Sequence, residues 1–138
     1  MTPAEMKQRT KKFAVDVIRF TSALPRGIAT DVISRQLIRA GTGTAANYRA
    51  SCRAKSRKDF IMKLSNAEEE ADESALWLEV LVESGFVRQN AASRLLDEAD
   101  QLTRIFVSSI ITARKGSVGA RIKTPKSPIN PQSAIRNP

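Results

Sequence analysis

Residues 41–60, GTGTAANYRASCRAKSRKDF, decide the fold. Gly41 and Gly43 sit one residue apart and Asn47 follows, close to the G-x-G-x-x-G spacing of a dinucleotide-binding turn. Such a turn needs a strand before it and a helix N-terminus after it, whose free N–H groups and positive dipole end hold the phosphates. The preceding residues, DVISRQLIRA, place Val32, Ile33, Leu37 and Ile38 at helical steps, not in strand alternation. No βαβ pattern surrounds them. The glycines therefore read as helix, either a bend or a thin place where another backbone comes close. Two glycines cost about 2 kcal/mol of helix propensity relative to alanine, which close packing can offset.

Working outward, four helical segments are expected and no strand. The first opens with Thr2-Pro3-Ala4-Glu5, a capping box with proline at the first helical position. It carries Met6, Phe13, Val17, Phe20 and Leu24 on one face and ends at Pro25-Arg26-Gly27. The second runs from about residue 29 to 54, with Ile33, Leu37, Gly41, Ala45, Tyr48 and Cys52 inward. The third is capped by Ser56, with Asp59 three residues on. Its stripe of Phe60, Leu64, Ala67, Ala71, Ser74, Leu78 and Leu81 alternates steps of four and three, the seam of a bundle. Gly85 follows as a C-terminal cap. The fourth begins near Asn90, carries Leu95, Ala99, Leu102, Phe106, Ser109 and Ala113, and has Gly116 as its expected cap. Short connections make neighbours antiparallel. The expected fold is an all-α, antiparallel up-down-up-down four-helix bundle over residues 1–116. A disordered, Pro-rich basic tail is expected over residues 117–138, which hold four prolines and no acid.

The 138 residues carry a formal net charge of +9, with a pI near 10.3. An anionic partner follows: nucleic acid, an acidic protein or an anionic surface. There is no histidine, which removes the commonest general base and zinc ligand. The single Cys52 cannot form a disulfide within the chain and reads as a small core residue. The polar N-terminus MTPAEMKQRTKKF is unlike a signal peptide, and no apolar run approaches the roughly 20 residues of a membrane span. A cytoplasmic protein with no membrane contact, no cofactor, no metal and no enzymatic activity is expected.

An up-down-up-down bundle gathers three basic segments at one end. Lys7, Arg9, Lys11 and Lys12 lie at the start of the first helix. Arg49, Arg53, Lys55, Arg57, Lys58 and Lys63 surround the second turn, and Arg114 and Lys115 close the fourth helix. Arg121, Lys123, Lys126 and Arg136 add to them from the tail. Only Glu5 and Asp59 oppose them in those segments, whereas residues 64–100 carry ten acidic and two basic residues. Cations near helix C-termini are favourable in any case, which accounts for Arg53, Lys55, Arg114 and Lys115. It does not account for Lys7, Arg9, Lys11 and Lys12, nor for Arg57 and Lys58, near helix N-termini. The candidate nucleic-acid contacts are Lys11, Lys12, Arg49, Arg53, Lys55, Arg57, Lys58, Lys63, Arg114 and Lys115. Aromatic interleaving is poor, with only Phe13, Tyr48 and Phe60 nearby, so contacts to phosphate and shape are expected rather than base stacking.

The run AEEEADE lacks the histidines of a di-metal carboxylate bundle, and pairing is its better reading. A hairpin turning at Lys55-Ser56 sets Arg39 opposite Glu73 and Arg35 opposite Trp77. Ion-pair and cation–π contacts are expected there, within a subunit or between subunits. Trp77 reads as core edge or as interface.

The segment QLIRAGTGTAANYRASCRAKSRKDF, followed by KLSNAEEEADESALWLEVL, resembles the bacterial four helix bundle protein family, also called the 23S rRNA intervening-sequence proteins. The matching positions are Gln36, Arg39, Asn47, Tyr48, Arg49, Arg53, Ser56, Phe60, Lys63, Glu69, Glu70, Asp72, Glu73, Trp77 and Glu79. Gly43 departs from the pattern, which has serine there. The resemblance covers roughly residues 10–115 and implies an antiparallel four-helix bundle, commonly a ring-like homopentamer, without established enzymatic activity. Some members are encoded within insertions in ribosomal RNA genes. A related group serves as nucleic-acid-binding accessory protein to retroelement reverse transcriptases. The resemblance thus implies nucleic acid, further copies of the chain or a reverse transcriptase as partners. The residues expected to serve in structural or interface pairing are Arg35, Arg39, Asn47, Glu70, Glu73 and Trp77.

Overall fold

The computed structural model describes the backbone of residues 1–120 and the side chains of residues 1–116. Four helices follow in order: α1 (Pro3–Ser22), α2 (Ile28–Ser51), α3 (Arg57–Glu83) and α4 (Gln89–Ala120). No strand occurs among the described residues. The expected tail lies, from residue 121 on, outside the described residues.

The helix ends form where their capping chemistry places them. The Thr2 hydroxyl accepts from the Glu5 backbone N–H at 3.1 Å, and the Glu5 carboxylate accepts from the Thr2 N–H at 2.8 Å. This is the reciprocal capping box, with Pro3 at the first helical position. At α3 the Ser56 hydroxyl accepts from Asp59 N–H at 3.0 Å. The Asp59 carboxylate reaches past Ser56 to the backbone N–H of Lys55 at 3.1 Å. Gly85 stops α3 with φ of 83°, a left-handed conformation that favours glycine. Phe86 N–H bonds to Leu81 C=O and Gly85 N–H to Val82 C=O, each at 3.0 Å, closing the α3 terminus as a Schellman motif.

Each helix packs on its sequence neighbours, and α1 meets α4 more lightly to close the square. The whole expected stripe of α3 is buried, as are the six expected positions of α4. In α1, Met6, Phe13 and Val17 are buried and Phe20 is half-buried; Leu24, also half-buried, lies in the turn after the helix. The buried face of α2 differs from expectation: it is Thr30, Leu37, Ala40, Gly41, Thr44, Tyr48 and Ser51. Ile33, Ala45 and Cys52 are only half-buried. The reason is that hydroxyls can be buried when they bond to their own helix. Thr44 donates to Ala40 C=O at 2.8 Å and Ser51 to Tyr48 C=O at 2.6 Å.

Gly116 is not a cap. Helix α4 runs through it to Ala120, and the bare backbone of Gly116 makes room for the Arg57 guanidinium, which donates to Ala113 C=O at 3.4 Å.

The glycines that opened the question are a thin place, inside an unbroken α2, facing two neighbours. A Cβ on Gly41 would stand 3.0–3.2 Å from three side-chain carbons of Val17 in α1. A Cβ on Gly43 would meet the Glu70 carboxylate of α3 at 3.0–3.3 Å. Val17 is β-branched and fully buried, so it cannot yield; the tip of Glu70 can. Opposite outcomes are expected. Gly41→Ala gains about 1 kcal/mol of helix propensity but loses about 1–3 kcal/mol to overpacking, and lowers the melting temperature. Gly43→Ala keeps most of the propensity gain and raises it. Thermal unfolding of the two variants against the parent checks both signs.

Candidate nucleic-acid interface

The start of α1 lies beside the end of α2, and the two enclose a groove of about 520 Å³. Its lining is Ala4, Lys7, Gln8, Lys11, Ala45, Ala46 and Arg49. Lys7 and Lys11 stand one helical turn apart on α1, and Arg49 faces them from the last turn of α2. All three are exposed, and among the described residues none of them forms an ion pair and no carboxylate lines the groove. Glu5, the nearest acid in sequence, is occupied in capping α1. The rest of the lining is alanine apart from Gln8, so small apolar residues separate the cations.

The remaining candidates separate into two sets. Arg53, Lys55, Lys58, Arg114 and Lys115 are exposed at the same end of the bundle. Lys12, Arg57 and Lys63 have partners within the chain. Lys12 binds Asp16 at 2.8 Å, Lys63 binds Asp59 at 3.0 Å, and Arg57 lies against α4. The Lys63 hydrogen bond, with backbone and charge help from Lys55, holds the Asp59 carboxyl below its ordinary range. Arg9 is consumed as well. It forks onto both Glu98 oxygens at 2.7 and 2.8 Å and reaches Gln101, tying α1 to α4; the Glu98 bond raises its already high pKa.

The opposite charge collects elsewhere. A groove of about 490 Å³ between α3 and α4 is lined by Asp72, Glu79, Glu83, Asp97 and Asp100 among others. The molecule is therefore polarised, with an acidic α3/α4 groove and a basic α1/α2 groove.

The pairing expected between α2 and α3 takes another form. The register holds within one residue, since Gly43 meets Glu70. No ion pair joins Arg39 to Glu73 among the described residues. Glu73 instead accepts from the Trp77 indole N–H at 3.1 Å, one turn along α3. Arg35 is exposed beside Asp31, whose carboxyl is held down chiefly by its bond to Arg26, and makes no ring contact with Trp77. The Asn47 carboxamide donates to Gly43 C=O at 2.9 Å, within its own helix. Arg39 reaches Glu70 only through longer-range attraction. Glu70 is half-buried without a hydrogen-bonded cation. Burial, then the neighbouring Glu73, push its pKa above the ordinary carboxylate range, against the pull of Arg39.

A raised carboxyl pKa means that ionised Glu70 opposes folding at neutral pH. The penalty disappears as pH falls through the raised pKa toward the unfolded value. In the isolated subunit, Glu70→Gln should raise the melting temperature by a few degrees at pH 7, and a cation brought by a neighbouring subunit would reverse that sign. The gap should close on acidification below about pH 4.5, the ordinary glutamate value. Melting curves across that range are the check.

Gln8, Ala4 and Ala46 could not be picked out from sequence, because nothing about an isolated glutamine or alanine marks it, and Ala45 was expected inward rather than beside a groove. Only the apposition of α1 and α2 selects them. Among the described residues no group of three His, Cys, Asp or Glu side chains could hold a metal ion. None of the described helices is long and apolar enough to cross a membrane.

Fold and surface together define a small, charge-polarised four-helix-bundle protein. The chain belongs to the 23S rRNA-intervening sequence protein family, whose sequence profile matches residues 3–108. It is similar to a crystal structure from Bacteroides thetaiotaomicron, of a protein with unknown function from the S23 ribosomal protein family. The two share 30% identity over 81% of this chain and 100% of that one, with a TM-score of 0.75. Comparison with curated proteins finds no match.

Proposed function

We propose that the protein is a non-enzymatic, cytoplasmic bundle that assembles with copies of itself and binds nucleic acid through its basic end. One observation carries the binding reading. Three cations of the same end are held by carboxylates, in Arg9–Glu98, Lys12–Asp16 and Lys63–Asp59. Lys7, Lys11 and Arg49 converge on one groove with no carboxylate in it. Keeping like charges together without counter-charges is unfavourable for the folded state alone and favourable for meeting a polyanion. Fluorescence anisotropy with labelled RNA and DNA at low salt tests it. Micromolar or tighter binding that weakens with salt is expected; absence of binding to both at low salt rejects the reading.

Self-assembly, of which a pentameric ring is the form the family resemblance implies, is supported by a separate observation. Arg39 is exposed, and Glu70 is half-buried without a bonded cation, on the α2/α3 face. A neighbouring subunit can complete both. Light scattering that returns a 15.2 kDa monomer would remove this part of the proposal. The same face also suits a different partner, such as a reverse transcriptase for which the bundle is an accessory subunit. In that case the protein binds the partner and no free nucleic acid.

A further inference from the structure

The chain has seven aromatic residues, and the structure places every one of them. The three nearest the basic end, Phe13, Tyr48 and Phe60, are 1%, 1% and 0% exposed. Phe106 is fully buried against Tyr48. Phe86 is exposed, but it lies in the turn between α3 and α4, at the far end of the bundle. Phe20 and Trp77 are half-buried away from the basic groove. Residues 121–138 contain no aromatic at all. The cationic surface therefore has no aromatic platform on which an unpaired base can stack. Proteins that hold single strands rely on such platforms.

The shape of the groove narrows the choice again. Its cations sit at the seam between two packed helices, not along one projecting helix. Two helices at an interaxial distance of about 8–10 Å, each about 10 Å across, present a face roughly 20 Å wide. The major groove of B-form DNA is about 12 Å wide and admits one helix. A two-helix face is too broad to enter either groove, but it can rest over the shallow minor groove of an A-form duplex, which displays 2′-hydroxyls and flanking phosphates at its surface. Lys7, Lys11 and Arg49 supply the phosphate contacts. Gln8, exposed on the same wall, is the one uncharged polar side chain in the groove. Its carboxamide both donates and accepts, which a ribose 2′-hydroxyl can match and a deoxyribose cannot.

From these observations we propose that the α1/α2 groove is a site for double-stranded RNA, held by its backbone across the minor groove, with Gln8 contacting a 2′-hydroxyl. The proposal rests on reading the basic end as a nucleic-acid surface and names the ligand of that surface. The experiment is fluorescence anisotropy with four probes of one sequence about two helical turns long: duplex RNA, duplex DNA, single-stranded RNA and single-stranded DNA. Duplex RNA should bind most tightly, and Gln8→Ala should reduce the preference for duplex RNA over duplex DNA by about threefold to tenfold, the worth of one hydrogen bond. Gln8 is exposed, so its replacement leaves the bundle folded, which the circular dichroism spectrum of the variant verifies. Single strands binding as tightly as the duplex, or duplex DNA matching duplex RNA, overturns the inference and leaves nucleic-acid binding standing. An unchanged RNA-to-DNA ratio in the Gln8 variant overturns the role of Gln8. Failure of all four probes removes the nucleic-acid reading itself.

Discussion

Replacing Lys7, Lys11 and Arg49 together with glutamine should make nucleic-acid binding far weaker and far less sensitive to salt. All three side chains are exposed and form no ion pair among the described residues, so the variant loses none within the bundle. Each phosphate contact contributes roughly 0.9 to the slope of log affinity against log salt for a duplex, so losing three makes the slope shallower by about 2.7. Over a fourfold rise in salt, from about 50 to 200 mM, the advantage of the parent over the variant should shrink by about 40-fold. The comparison that gives the result its meaning is Lys12→Gln with Lys63→Gln. Those ammonium groups already bind Asp16 and Asp59, at 2.8 and 3.0 Å, so their loss should move the slope much less. Equal slopes for the triple variant and the parent would show that the groove is not where phosphates bind. A larger effect from the paired lysines would place the contact outside the α1/α2 groove, at Lys12 on α1 or Lys63 on α3.

The same division between free and paired cations shows what the sequence could and could not reveal. The face of α3 was legible throughout, because its stripe from Phe60 to Leu81 keeps steps of four and three against charged neighbours. The buried face of α2 was blurred, because Gly41, Thr42, Gly43, Thr44, Ala45 and Ala46 offer little contrast of size or polarity. Thr44 enters the core only because its hydroxyl bonds to Ala40, which no periodicity reports. Capping chemistry, by contrast, was local and therefore readable at Thr2, Ser56 and Gly85. Gly116 looked like the same signal, but its neighbour in space is Arg57, which lies fifty-nine positions earlier in the chain. The basic end was legible as a place. Which cations remain free there was not, because a side chain's partner depends on its direction around the helix. Arg39 and Glu73 show the same limit: the register is right, yet the Trp77 indole takes the carboxylate.

The second large effect lies in the core, at the stacked pair Tyr48 and Phe106, whose ring centroids stand 5.9 Å apart at 24°. Both rings are fully buried, yet the two substitutions should act in opposite directions. Phe106→Ala empties a ring-sized volume and should cost about 3–5 kcal/mol, enough to unfold a marginal domain near physiological temperature. Tyr48→Phe keeps the ring and removes a hydroxyl that is buried without a hydrogen-bond partner. An unsatisfied buried hydroxyl costs about 1–3 kcal/mol, so the phenylalanine should be more stable by an amount of that order. The side chain that interacts with it is the Cys52 thiol, a weak partner. Burial first, then Cys52, push the Tyr48 pKa upward, so the folded state keeps a proton that the unfolded chain loses near pH 10. Stability from this group is present below that value and drains away as pH rises above it. The advantage of Tyr48→Phe should therefore widen above about pH 10, where only the parent has a phenol to ionise. Thermal melts at matched protein concentration, at pH 7 and above pH 10, read both effects, since any self-association makes the midpoint depend on concentration. A phenylalanine variant less stable than its parent at pH 7 would mean that the hydroxyl is satisfied after all. Adding Cys52→Ala to both backgrounds then tells whether the thiol is what satisfies it, because a real Tyr48–Cys52 bond makes the two substitutions non-additive.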